Sequence, residues 1–449
     1  MLKYNSYSYL EYDLQLNLSS RSQTIHPEFG WLKMPINTPR TPAIARRAQS
    51  TKTRANTAKV LRAILHNAVD NGLDELSIGQ VAKLSGLTTG AIYGRFEDPD
   101  EMAIELWQSV VKEPFKARLN RNVDYIYSQI YSQNSAGLSV DDEATFKADF
   151  ETPDELSKLG VEFLVVAKRN IAIGEVVITE VSKWFEEFGL NQANSEINNA
   201  AVALGLSASI GTALRAFALG SNPEWLAIAG GVRDAATAAS RATPLTRPPD
   251  LPLPGVFEIQ TGNPVRDALI IAVGQVVAKS GYARATISRI IRKSGLSNGS
   301  LYNLYENKEE LTDDAMQMTL AYASGVNREG NRLAESQHRA DRGLGNSFAL
   351  GLVPGRRQWL DFRLECLIAS RNHLPTRTKF KESLVASRDA LASTMPDIPR
   401  PVVNLLSSGE QAIGLGFTAL DLFTDQLPRC DFYSIMAKLS EQNRLLPNS

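Results

Sequence analysis

Residues Leu76–Met102 read LSIGQVAKLSGLTTGAIYGRFEDPDEM, and Ala285–Leu311 read ATISRIIRKSGLSNGSLYNLYENKEEL. The two stretches align without a gap at an offset of 209 residues. Eight of the 27 pairs are identical, namely Ile78/Ile287, Ser85/Ser294, Gly86/Gly295, Leu87/Leu296, Gly90/Gly299, Tyr93/Tyr302, Glu97/Glu306 and Glu101/Glu310. Others keep their chemistry, as in Ser77/Thr286, Val81/Ile290, Ile92/Leu301, Phe96/Tyr305 and Met102/Leu311. Weaker echoes follow each copy: LVVAKRN from Leu164 faces CLIASRN from Cys366, and TALRAF from Thr212 faces TALDLF from Thr418. A fixed-period repeat is the sequence signature of a duplicated structural unit.

Each copy reads as three helices. An amphipathic helix comes first, with Leu61, Ile64, Leu65 and Ala68, or Ile270, Val273 and Val277, at helical spacing. Gly72 and Gly281 stop it, as glycines beyond a helix C-terminus do. Ser77 and Thr286 stand where an N-cap belongs, ahead of a two-turn helix with Ile78, Val81 and Ala82, or Ile287, Ile290 and Ile291, on its apolar side. Gly86 and Gly295 end that helix in a tight turn, and Thr88 and Ser297 cap the next. In the third helix Ile92 and Phe96, or Leu301 and Tyr305, face inward and the remaining positions face out. Two short helices joined by a glycine turn, with a polar outer face on the second, form a helix-turn-helix. Small residues at the start of the second helix, Gly90 and Ala91 or Gly299 and Ser300, let its backbone approach a major groove. Tyr93 and Tyr302 can offer a hydroxyl to a phosphate, and so can the helix N-termini at Ser77 and Thr286, whose free N–H groups favour an anion.

The segments TTGAIYGRFEDPDEM and SNGSLYNLYENKEEL, with their preceding helices, resemble the DNA-binding domain of TetR-family transcriptional regulators over Arg54–Trp107 and Asn263–Met316. The resemblance implies an all-α fold: two tandem TetR-like units, each a three-helix helix-turn-helix head plus a helical body, forming an intrachain pseudo-dimer. It also implies a cytoplasmic, nucleoid-associated regulator, with double-stranded DNA as partner, a small-molecule effector and no cofactor. Repression is the family's usual mode. The residues expected at DNA are Ser77, Thr88, Thr89, Gly90, Ala91, Tyr93, Gly94 and Arg95 in the first copy. In the second they are Thr286, Ser297, Asn298, Gly299, Ser300, Tyr302, Asn303 and Lys308. Lys308 matches a family lysine that opens the fourth helix and touches phosphate.

The copies differ in charge. Where the second has Lys308 the first has Pro99, which suits a first helical position but removes the phosphate contact. Thr51–Val110 holds six basic residues against eight acidic ones, with Glu97, Asp98, Asp100 and Glu101 together. The first head therefore leans on Arg95 and on a basic arm carrying Arg40, Arg46, Arg47, Lys52, Arg54 and Lys59. The second head has Arg284, Arg289, Arg292 and Lys293, and is expected to bind more strongly. The outward residues are unlike, Thr88, Thr89, Gly94 and Arg95 against Ser297, Asn298, Asn303 and Leu304. Arginine reads guanine and asparagine adenine, so unlike half-sites and a non-palindromic operator are expected.

Organisation along the 449 residues follows from the repeat. Residues 1–50 read as a disordered leader, 51–112 and 263–319 as the heads, and 113–243 and 320–449 as the bodies. Residues 244–262 read as a proline-rich connector, able to reach on the order of 60 Å if extended. The bodies are expected to pair through their last helices, ALGLSASIGTALRAFAL and GEQAIGLGFTALDLF, whose small residues allow close approach, unless each helix only fills its own core; a homodimer of chains is the other arrangement. Arg169/Arg371 and Asn170/Asn372 match across the halves and read first as polar residues at helix ends; Glu162 and Glu365 flank them, and pairing with them across helices is the other reading. The aromatic residues Trp184, Phe185, Phe188, Phe217 and Trp225, with Trp359, Phe362, Phe417, Phe423 and Phe432, read as core, and a pocket among them would suit an apolar effector.

Net charge is −1, so no whole-chain basic field points to nucleic acid and that reading rests on local charge. Two cysteines make no disulfide framework and fit a reducing compartment. Four scattered histidines lack metal-ligand spacing. The run Asn198–Leu214 is shorter and more polar than the roughly 20 apolar residues of a membrane span, and reads as a buried helix. The N-terminus lacks the basic-then-apolar order of a secretory signal. No phosphate loop, nucleophile elbow or zinc motif supports an enzyme. The alternative is an interaction adaptor whose first head has lost DNA, suggested by the acidic stretch Glu97–Glu101.

Overall fold

A computed structural model describes residues 51–128, 138–245, 259–320, 354–394 and 399–444, with isolated positions 348, 352 and 396. The leader, Arg40, Arg46 and Arg47 of the basic arm, and most of the proline-rich connector lie outside the described residues. Among those described, the structure is helical with no strand.

The first head is α1 (Thr51–Asn71), α2 (Ile78–Ser85) and α3 (Thr89–Tyr93), followed by α4 (Pro99–Leu106). Lys52, Arg54 and Lys59 fall on α1 itself rather than ahead of the first helix, because the helix starts at Thr51. The boundary expected near residue 112 is no break in the backbone. A π-helical turn, Trp107–Val111, carries α4 into α5 (Lys112–Tyr127), so the head runs into its body along one rod. The first body continues with α6 (Val140–Glu151), α7 (Glu155–Ala167), α8 (Ile171–Glu187), α9 (Glu196–Leu219) and α10 (Trp225–Arg241). The second head is α11 (Pro264–Ser280), α12 (Ile287–Ser294) and α13 (Asn298–Tyr302), and α14 spans 308–320. Of the second body α15 (Pro354–Ala369), α16 (Leu374–Thr394), α17 (Arg400–Leu420) and α18 (Phe432–Arg444) are described.

Helix α9 is apolar on all sides and almost wholly buried, as a helix enclosed by others must be. It is long and apolar enough to cross a membrane, but 94% of its apolar window is buried inside the protein. Its most extensive neighbour is α17 of the other half. The backbones touch where small residues face: a Cβ on Gly211 would overlap the Ala412 carbonyl, and one on Gly416 the Ser207 carbonyl. These two helices are not the last of their halves, as the sequence suggested. Each is followed by another, α10 or α18, and those two also pack together, with Leu439 of α18 against Gly231 of α10. Both helices are amphipathic, and the buried side of α10 holds Trp225, Ala229, Val232, Ala235, Ala236 and Ala239.

Polar ties cross between the halves as well. Arg169 pairs with Glu365 at 2.6 Å and Arg371 with Glu162 at 2.6 Å, so each matched arginine takes the carboxylate of the opposite half. Lys168 reaches Asp361 at 3.2 Å and the Thr418 carbonyl at 2.9 Å. Burial pushes the Lys168 ammonium down to about 8, against the pull of Asp361. The aromatic residues named from sequence are core: Phe185, Trp225, Phe362, Phe417 and Phe423 are buried, and Phe185 meets Phe423 edge-on across the halves at 5.9 Å.

Candidate nucleic-acid interface

In both copies the turn between the two short helices is made by a left-handed glycine, Gly86 at φ 68° and Gly295 at φ 71°. That conformation strains any residue with a Cβ, which is why glycine recurs there. Thr88 accepts the Ala91 N–H at 3.2 Å and Ser297 accepts the Ser300 N–H at 3.1 Å, capping α3 and α13. Beneath, Ile92 and Leu301 are fully buried. Above, Tyr93 is 61% and Tyr302 56% exposed, large aromatic rings left in water on equivalent faces. Thr88, Thr89, Gly90, Ala91, Gly94 and Arg95 are exposed beside Tyr93, as are Ser297, Asn298, Gly299 and Asn303 beside Tyr302; Ser300 is half-buried. A Cβ on Gly90 would meet nothing within 4 Å, so packing does not demand glycine there.

The cap positions of α2 and α12 differ in a way the sequence did not signal. Ser77 accepts the Gln80 N–H at 3.2 Å, and Thr286 the Arg289 N–H at 3.4 Å. In the first head the buried Asn67 accepts the Ser77 N–H at 3.3 Å and donates to the Gln80 side chain at 2.7 Å. That draws Ser77 partly inward. The second copy has Val276 at the equivalent place, and Thr286 stays exposed. Asn67 reads as one more helix-face polar residue in a linear sequence, so only its partner across the turn reveals its part.

Lys308 does not project outward as the family pattern implied. Its ammonium donates to the Tyr282 carbonyl at 3.0 Å and lies 4.4 Å from the Tyr282 ring centre. Burial lowers its pKa, opposed by Glu309. It fastens the loop before α12 to α14. Cationic character on the second head comes instead from Lys279, Arg289, Arg292 and Lys293, which line one open groove between α11 and α12. At the repeat-equivalent places the first head carries Asp70, Gln80, Lys83 and Leu84. On the first head Arg95 donates to Thr57 at 3.3 Å, which leans it toward α1.

The acidic stretch has a local use. The Glu101 carboxylate accepts the Glu97 N–H at 2.7 Å while Asp98 accepts the Glu101 N–H at 2.9 Å. The second copy repeats both bonds, Glu310 with the Glu306 N–H at 2.8 Å and Asn307 with the Glu310 N–H at 2.9 Å. The side chains of Asp98 and Glu101, like those of Asn307 and Glu310, thus cap a helix from both sides, while Glu97 and Glu306 contribute only a backbone N–H. Pro99 occupies the first turn of α4 without disturbing this. An acidic docking surface is not needed to account for Asp98 and Glu101.

No curated protein matches the chain. Residues 274–315 match the family model described as "Bacterial regulatory proteins, tetR family". The match runs from the middle of α11 into α14 and takes in the whole helix-turn-helix of the second head. Together, the matched domain and the helical fold of the described residues support a DNA-binding transcriptional regulator of the TetR family.

Proposed function

We propose that the chain carries both DNA-reading heads of a regulator in one polypeptide, acting as an intrachain pseudo-dimer on a non-palindromic operator. The observation that carries this is the pair of exposed faces around Tyr93 and Tyr302, built on the same buried scaffold by two copies that adjoin each other. Thr88, Thr89 and Arg95 would read the first half-site, and Asn298 and Asn303 the second. Tyr93, Tyr302 and Thr286 would hold phosphates, joined by the basic groove of the second head. Binding near a promoter represses by exclusion, and an apolar effector seated among the body aromatics would release it. Cytoplasmic location follows from that role.

Selection of bound duplexes from a random library by the full chain tests this. Two unlike half-sites are expected, and affinity should fall about 1,000-fold between 50 and 200 mM salt if six or more phosphates are neutralised. Recovery of a perfect inverted repeat would instead favour a homodimer using one head per chain. A flat salt response would remove the DNA reading altogether.

A further inference from the structure

Asp74 has no acidic counterpart in the second head, where the repeat places Ala283. It lies in the single turn of 3-10 helix, Leu73–Glu75, that links α1 to α2. Arg169, in the turn after α7, divides its guanidinium between two carboxylates. It donates to Glu365 of the second body at 2.6 and 3.1 Å, and to Asp74 of the first head at 3.0 and 2.6 Å. The arginine side chain is 4% exposed and that of Glu365 3%. The second head closes over this junction. A Cβ on Gly281, at the end of α11, would lie 2.5 Å from Asp74 and 2.6 Å from Arg169, and Arg284 stands 3.6 Å from Asp74 and 3.8 Å from Asp100.

The mirror contact strengthens the same head. Arg371 of the second body donates to Glu162 of the first at 2.6 Å and to the Ala68 carbonyl of α1 at 3.3 Å. Glu162 in turn accepts the Leu73 N–H at 2.7 Å. The first head is therefore tied at Ala68, Leu73 and Asp74 to the two crossed ion pairs that join the bodies. Charge-assisted, two-pronged bonds fix geometry as well as energy. The second head folds without a carboxylate at this place, so the fold of a head does not require one.

We propose that Asp74, acting through Arg169 and Glu365, is a positioning residue that sets the distance between the two reading helices and hence the half-site spacing the chain accepts. This rests on the two-headed reading above. Moving a half-site by one base pair displaces it about 3.4 Å along the duplex. A head latched through a buried fork cannot follow that step without breaking the fork, whereas an unlatched head can.

The test measures affinity of the full chain for the selected operator, for duplexes with the half-sites one or two base pairs closer or farther apart, and for each half-site alone. Wild type should lose about 30-fold on a one-base-pair change, a difference of about 2 kcal/mol. Asp74→Asn should lose under about 3-fold on the same change and keep wild-type affinity for single half-sites. Arg169→Lys, which retains the charge and loses the fork, should broaden spacing in the same way and guards against misfolding of the first variant. Either variant, folded by circular dichroism and as strict about spacing as wild type, overturns the proposal. Should wild type bind paired half-sites no better than one, the two-headed reading falls and the proposal with it.

Discussion

Leucine at Gly211 or at Gly416 will lower the melting temperature by about 10 °C and loosen the two halves of the chain from each other. At both positions an added Cβ falls on backbone carbonyl of the facing helix, well inside 3.0 Å of the Ala412 and Ser207 oxygens. No side-chain rotation relieves such a clash, because both groups belong to helix backbones. The helices must separate, and α9 cannot move outward without disturbing the body it fills, since nearly all its residues are buried. Overpacking costs about 1–3 kcal/mol where neighbours can yield, and occasionally more. Contact between rigid backbones belongs at the upper end, at about 3–5 kcal/mol, which is a shift of the stated size for a domain of this scale. Thermal unfolding followed by circular dichroism reads it. Gly414→Ala, in the same helix as Gly416, is the matched control: a Cβ at Gly414 would meet nothing within 4 Å, so that change should leave stability unaltered or raise it by about 0.5–1 kcal/mol through helix propensity. If the leucine variants melt with wild type, the two helices do not approach as closely as the structure has them.

What the sequence made legible and what it concealed divide along the range of the interactions. Caps and turns at Ser77, Thr88, Thr286, Ser297, Gly86 and Gly295 are local, decided by residues three or four positions apart, and the structure has each as the sequence implies. The heads could be read because they occur twice, so that each copy checked the other. The repeat of the arginines brings Glu162 and Glu365 into view as partners, but that each arginine takes the carboxylate of the opposite half is seen only in the structure. Their second partners, Asp74 and the Ala68 carbonyl, have no repeat and no periodicity to betray them. Lys308 shows the opposite failure. A family pattern assigns it to phosphate, but the electron-rich face of Tyr282 and the Tyr282 carbonyl lie nearer to hand.

At the reading helices glycine has a different reason, and substitution there will separate binding from folding. Gly90→Leu and Gly299→Leu should each leave the melting temperature unchanged or slightly higher while lowering operator affinity about 100-fold, close to 3 kcal/mol. The stability half of this follows from space. Gly90 has no atom within 4 Å of an added Cβ, and at Gly299 only the Ser297 hydroxyl comes near, at an ordinary 3.6 Å. Neither residue has a positive φ, so a side chain brings no backbone strain, and replacing glycine inside a helix is worth about 0.5–1 kcal/mol. The binding half follows from direction. Both positions lie on the exposed face that carries Thr89 and Tyr93, or Asn298 and Tyr302, where a leucine would stand between the helix backbone and the floor of a groove. Every neighbouring polar contact would then be held off by the width of a branched side chain, and contacts that depend on distances near 3 Å do not survive that. With half-sites presented singly, Gly90→Leu should impair only the first and Gly299→Leu only the second. Fluorescence anisotropy with labelled duplexes, beside thermal melts of the same preparations, gives both readings. A stable Gly299→Leu protein with undiminished affinity would mean that α13 does not enter a groove, whatever its resemblance.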